Sequence, residues 1–315
     1  MCSKSGIRWH RALWQVVFAS SVMISLTVEA GDAERQQAKR IHDRLAGVSP
    51  TNAVLDQMET ALLTGAGGDV AAAVIAMGNP SFYNVTLKNF AAPWTNEAQD
   101  VFVPLNDYTA TVIGLIRDDV DFREVLYGNV LYIGSNSPAY SNSSNSHYEA
   151  LESAGLDLAN TSTLLQRTQT QVTGLPPAAT AGIMTTRAAA EAYFVGGTNR
   201  AMLRFTMMNH LCTDLEPLKD VTRVPDRVRR DVSRSPGGDS RIFLNSCVGC
   251  HAGMDGLAGA FAKYEFDETS DTLQYNQSSG KFDANGVALK NNINATNFPY
   301  GHITTDDSLF CPLRQ

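Results

Sequence analysis

Several familiar catalytic signatures are missing from this chain. It has no G-x-S-x-G nucleophile turn, no H-E-x-x-H metal pair and no phosphate-binding P-loop, so those three chemistries have no anchor in it. Basic clusters are scarce as well. The formal net charge is −7, and the one Arg-rich stretch, Arg223 to Arg234, is broken by Asp226 and Asp231. That pattern fits a solvated face with local ion pairs better than a phosphate track, so nucleic acid is not expected as a partner. Cysteine is sparse, at five in 315 residues. Apart from the first thirty residues there is no long apolar run, and there is no internal repeat.

Two of those few cysteines stand in a distinctive place. Cys247-Val248-Gly249-Cys250-His251 is a C-x-x-C-H segment. Two thiols three positions apart can form thioethers with the two vinyl groups of one haem, and the next residue offers an imidazole to its iron. The expectation is one covalent haem c held by Cys247 and Cys250, with His251 as proximal ligand. A thiol-redox pair is the bland alternative. Structural zinc would need two further close ligands, and no second CxxC or paired His stands nearby.

The amino terminus fits haem attachment, a task of exported proteins. Lys4, Arg8 and Arg11 form a positive start, Ala12 to Val28 is mainly apolar, and Val28-Glu29-Ala30 places short residues ahead of Gly31. Residues 1–30 therefore read as a cleaved signal peptide. A retained membrane anchor is the alternative, disfavoured because Gln15, Ser20, Ser21 and Ser25 interrupt a rather short run. Export from a bacterial cytoplasm to the periplasm or another extracytoplasmic space, with no membrane span after signal removal, is the expected outcome. Cys212 and Cys311 then remain as an even pair, either bridged or as separate thiols.

The rest of the pattern is mainly helical. Asp32 to Leu45 suits a solvated helix. Ser49-Pro50 caps a second, with Val54, Leu55, Met58 and Leu62 on one face, and Gly65 to Gly68 ends it. Asp69 to Met77 follows, stopped by Gly78-Asn79-Pro80. Tyr108 to Ile116 and Phe122 to Tyr127 predict two helices around Asp118-Asp119, and Ser135 to Ser146 predicts a loop. Leu175-Pro176-Pro177 breaks the chain, and Met184 to Cys212 predicts two helices around Gly196-Gly197. The haem segment predicts a helix over Arg241 to Cys250, capped by the Gly237-to-Ser240 turn, with a second short helix over Leu257 to Tyr264. Beyond it, the alternation at Leu273/Tyr275 and Val287/Leu289 predicts a hairpin. The expected architecture is mainly α: an N-terminal helical region over 31–170, a cytochrome-c-like haem region over 171–315, and a small C-terminal β-hairpin.

The sixth iron ligand is the least determined feature. Met254 is the only methionine downstream of His251, too near it to reach the opposite face of an iron, and His302 is the only downstream histidine. Upstream, Met202, Met207, Met208 and His210 crowd one helix and Met184 precedes it; Met208 and Met184 are the first candidates, although methionine stripes more often fill cores. An open sixth position remains equally live. Asp255 has the offset either to orient a ligand or a propionate partner, or to cap a helix. Arg241 is a candidate propionate partner.

These residues carry a resemblance. Residues 247 to 261, Cys-Val-Gly-Cys-His-Ala-Gly-Met-Asp-Gly-Leu-Ala-Gly-Ala-Phe, are similar to the C-x-x-C-H-x-x-M/I-D-P-L-G-x-A segment of a large bacterial family of exported, planctomycete-type cytochrome-like proteins. Arg117 to Leu126 resembles the family's D-x-P-F-x-E-L-L stretch, and Ala181-Gly182-Ile183-Met184-Thr185 its R-x-G-I-L-T stretch. Gly256 stands where the family has Pro. The resemblance, over roughly half the chain, implies a mainly helical, haem-bearing protein of the cell envelope and delivers no substrate. Three readings follow. One is an electron carrier with a redox partner protein in the envelope, the leading one. The second is a haem-dependent oxidoreductase or peroxidase-like subunit, and the third a non-catalytic envelope binding module with structural or sensory haem.

Overall fold

The structure, a computed structural model, describes residues 31–135, 138–194, 199–222, 236–261 and 263–275. The expected signal over 1–30, the Arg223-to-Arg234 stretch, Gly196-Gly197, the Val287/Leu289 arm, His302 and Cys311 lie outside them. The fold is mainly helical with short antiparallel strand pairs. It divides into two compact units, Met1–Thr86 and Leu87–Gln315.

In the first unit, helix α1 spans 31–46, α2 is Asn52–Leu62 and α3 is Gly68–Met77. The cap of α2 falls one residue beyond Ser49-Pro50: the Thr51 hydroxyl accepts from the Val54 amide at 3.3 Å. Ala38, Met58, Ala72 and Ala76 form the buried centre, with Ile41, Leu45, Val54, Leu55 and Leu62 packed on it. Three of these four are alanines, which lets the helices approach closely. A Cβ on Gly68 would lie 2.4 Å from the Ala61 carbonyl oxygen.

The second unit is built around one buried helix. Helix α4 (Lys88–Ala91) leads to α5 (Asp107–Arg117), whose residues from Asp107 to Leu115 are all buried. The Asn106 side chain caps it by accepting from the Thr109 amide at 3.0 Å. This helix is buried on every side although it carries Asp107, Thr109 and Thr111, and each buried Val, Ile or Leu there contributes about 1.5–3 kcal/mol. Helix α6 (Glu124–Tyr127) follows, then strand β1 (Leu131–Gly134), α7 (Ser146–Ser153), β2 (Leu164–Arg167) and α8 (Gln169–Thr173). Strands β1 and β2 pair antiparallel. Gly114 lets β1 lie against α5, because a Cβ there would meet the Tyr132 ring at 2.2 Å.

Helices α9 (Arg187–Tyr193) and α10 (Arg200–Leu211) carry the chain toward the C-x-x-C-H segment. There α11 (Ser240–Ile242) runs through a π-turn, Phe243–Cys247, into α12 (Val248–Leu257). The helix expected over Leu257 to Tyr264 is instead a 3-10 turn, Ala258–Phe261, and Tyr264 opens strand β3 (Tyr264–Asp267), which pairs with β4 (Thr272–Tyr275). Tyr264 stacks flat on Phe194 with centroids 5.5 Å apart, a contact that the extended backbone accommodates. A small C-terminal hairpin is thus present, but Leu273 and Tyr275 lie on its second arm and pair back to β3, while the expected Val287/Leu289 arm is outside the described residues.

The boundary expected near residue 170 falls inside the second unit. Gln169, fully buried, explains why the chain does not part there. Its amide donates to the Val130 carbonyl at 3.2 Å and the Gly182 carbonyl at 2.6 Å, and its oxygen accepts from the Thr185 hydroxyl at 2.7 Å.

Candidate haem site

The 3-10 turn Gly182–Thr185 leads directly into α9. Gly182 has φ +53°, its amide donates to the Gly128 carbonyl at 2.9 Å, and a Cβ on it would fall 2.1 Å from the Val125 carbonyl oxygen. Only glycine fits there. The turn therefore seats on α6, so the two upstream stretches quoted above, around Glu124–Leu126 and Ala181–Thr185, are in contact. Just beyond, the buried Asp107 carboxylate accepts from the amides of Arg187 (2.6 Å) and Ala188 (3.0 Å), holding the first turn of α9.

The start of α10 is pinned to the C-x-x-C-H segment. Asn199, in the left-handed region at φ +58°, donates through its side-chain amide to the carbonyls of Phe261 and Tyr264. Its neighbour Arg200 reaches into α12, where Nε donates to Asp255 Oδ1 at 2.6 Å. Asp255 is completely buried, and both its oxygens lie 3.1 Å from His251 Nδ1. Burial acts to raise the Asp255 pKa, but hydrogen bonds from His251 and Arg200 outweigh it and hold the carboxyl below its ordinary value. Asp255 is therefore neither a helix cap nor a surface group; it lies inside α12 and joins two helices.

Along α12 the burial alternates in a way that exposes the motif. Val248, Gly249, Ala252 and Asp255 are buried, whereas Cys247, Cys250 and His251 are each partly exposed. The three residues of the motif thus share the open side of one helix, as i, i+3 and i+4 neighbours do. Phe243, buried, sets its ring edge-on to His251 with centroids 5.2 Å apart. Leu244 and Leu257 stand 57% and 47% exposed and add an apolar fringe to this stretch. Gly249 lets the 219–221 loop come close: the Asp220 amide donates to its carbonyl at 2.9 Å, and a Cβ there would sit 3.1 Å from that of Lys219.

The remaining candidates scatter. Arg204 pairs with Asp214 at 3.0 Å and stands one turn beyond Arg200 along α10. Met208 is next in that i, i+4 row and is half-buried. Met184 is on the other side: its sulfur accepts from the Thr206 hydroxyl at 3.5 Å, in a small cavity shared with Tyr108, Met202 and His210. Met254 is half-buried on α12 itself. Arg241 is exposed and fork-bonded to Asp239, the N-cap of its own short helix, so its guanidinium is held locally. Cys212 is an exposed free thiol ending α10 at φ +51°.

Sequence reasoning missed Arg200 and Asn199, whose partners lie more than fifty residues downstream. Among the described residues, no group of three or more His, Cys, Asp and Glu side chains gathers as metal ligands. Among them also, no helix is long and apolar enough to cross a membrane. Comparison of the chain with models of known protein families, with curated proteins and with solved structures finds no match.

Proposed function

We propose that this chain is an exported c-type cytochrome-like protein that carries one covalent haem and passes electrons to a redox partner in the cell envelope. Cys247 and Cys250 would hold the porphyrin as thioethers and His251 would ligate the iron. The observation that carries the reading is the state of His251. Its Nδ1 is engaged by a buried, charge-compensated carboxylate, the arrangement that orients metal-bound imidazoles and raises their basicity. A bare thiol-redox pair has no need of it.

Three features of the chain support the fit. The two thiols and the imidazole open to one side of α12, exposed leucines flank them, and the buried side of the helix is fastened to α10. A haem bound there would supply a one-electron iron couple, tuned by its ligands and their burial. The protein's own residues orient the imidazole, shield the helix from water on its inner side and leave the outer side for a large apolar plate. Met208, half-buried on α10 and one turn beyond Arg204, would be the first candidate for a second iron ligand.

The packing of Met184 favours a second reading. With that sulfur turned toward Thr206, one of the two upstream candidates is directed elsewhere, which suits an oxidoreductase with an open sixth position. One experiment separates these outcomes. The protein is exported from a host with haem-attachment machinery, and absorption spectra are taken oxidised, reduced and after denaturation. Haem that survives denaturation is expected; its loss would return the motif to a thiol function. A low-spin six-coordinate spectrum supports the carrier, and a high-spin spectrum that shifts with carbon monoxide or peroxide supports the oxidoreductase.

A further inference from the structure

An ionised carboxylate only accepts hydrogen bonds. Asp255 places both oxygens 3.1 Å from His251 Nδ1, and Arg200 supplies the compensating charge at 2.6 Å. A histidine in water distributes its proton between both ring nitrogens, whereas one held this way has a single favourable tautomer. The clamp is rigid at both ends. Asp255 has no exposed surface, the Arg200 side chain is 9% exposed, and the adjacent Asn199 ties the start of α10 to the carbonyls that follow α12. The chain builds the same kind of device elsewhere: His147 Nδ1 bonds the Pro138 carbonyl at 2.7 Å while its Nε2 accepts from the Gly134 amide at 2.9 Å. There two backbone groups engage the two ring nitrogens. At His251 the chain instead uses a buried ion pair, a costlier device to build.

We infer that Arg200 and Asp255 are positioning residues that keep the proton of His251 on Nδ1 before any haem is attached, so that Nε2 is the nitrogen offered to iron. This rests on the haem reading above and deepens it. Asp255 makes the contact, and Arg200 acts through it by donating to the buried carboxylate and fixing its place. Once iron is bound, the same hydrogen bond makes the imidazole a stronger donor, which favours the oxidised metal and lowers the reduction potential.

The test has two arms. In the first, the full chain is made without haem and labelled with 15N-histidine, and NMR reads which nitrogen of His251 carries the proton; the signal is assigned by its loss in His251→Gln. In the second, the midpoint potential of the haem-loaded protein is measured. The variant is the double substitution Arg200→Met with Asp255→Leu, because exchanging both members of a buried ion pair for apolar residues is commonly neutral for folding. Arg200→Lys, which keeps the charge, is the conservative control.

The expected results are an Nδ1–H tautomer in the wild type and in Arg200→Lys, and a mixture in the double variant. The double variant should also have a higher potential, by at least a tenfold change in the reduced-to-oxidised ratio, or 59 mV for one electron. An Nε2–H tautomer in the unloaded wild type, or a potential unmoved in the double variant, overturns the inference. Absence of covalent haem from the wild type would instead sink the haem reading, and the NMR arm would still decide the tautomer.

Discussion

Asp107 and Asp255 are both buried carboxylates, and the regions around them solve the same problem differently. Asp107 sits at the head of α5 and is satisfied by backbone, accepting from the amides of Tyr108, Arg187 and Ala188. Burial dominates there and pushes its pKa up. Asp255 sits within α12 and is satisfied by two cationic or ionisable side chains; burial is outweighed and its pKa falls. The signs for stability are opposite. Asp107, with a raised folded value, weakens the fold as pH rises through its titration. Asp255, with a lowered one, stabilises above its unfolded value of about 3.9 and loses that contribution as pH falls through the folded value. A carboxylate held by amides serves as a fastener. One held by Arg and His also orients an imidazole, which is why the proposed function is placed on α12.

The largest effect should come from breaking the second arrangement on one side only. Asp255→Leu takes away the buried carboxylate that Arg200 Nε donates to and should cost about 3–5 kcal/mol in denaturant unfolding, most of it recovered when Arg200→Met is added. If the single and double variants were equally stable, the ion pair would have no coupling and the contrast with Asp107 would collapse. Gly182→Ala comes next. It forces a side chain onto φ +53° and against the Val125 carbonyl oxygen, for a loss of roughly 3 kcal/mol. That loss should appear as a lower thermal midpoint.

A pH titration sharpens the picture of the first region. His210, 3.0 Å from the Tyr108 hydroxyl and edge-on to Trp94, has its pKa lowered by burial to about 4. The unfolded chain takes up this proton near pH 6.5 and the folded chain does not. Stability is therefore lost as pH falls from 6.5 toward 4, by up to about 3 kcal/mol. His210→Gln should flatten that limb of the stability profile; an unchanged slope would mean the imidazole is charged in the fold. Smallest of all, Cys212→Ser at an exposed helix end should move unfolding by no more than about 0.5 kcal/mol.

Much of the scaffold is legible in local sequence. The Gly and Pro breaks locate α2, α3 and α5 to within a residue or two, because caps and breakers act over one helical turn. The mainly helical class with a terminal hairpin is legible for the same reason. The pairing of β1 with β2 is not, since Leu131 and its partner Arg167 are joined through a long intervening segment that carries a helix of its own. At the site, the spacing of Cys247, Cys250 and His251 identifies the candidate, and the i+4 offset puts Asp255 within reach of the imidazole. Arg200 leaves no such trace. It is one arginine among others on α10, and only the packing of two distant helices singles it out. The break at Leu175-Pro176-Pro177 suggests a hinge because it is visible locally, whereas the Gln169 bonds that close the gap are not.

The separation between Arg200 and Asp255, fifty-five positions along the chain, has a consequence in time. The spacing of the two thiols is set within a single helical turn, and such turns form in well under a microsecond. The anchor on the imidazole must wait until α10 has closed on α12, a long loop whose entropy has to be overcome first. A newly made chain therefore displays its paired sulfurs early and its aligned histidine late. The order in which the two become available follows from that separation, with the paired thiols in place before the imidazole is aimed.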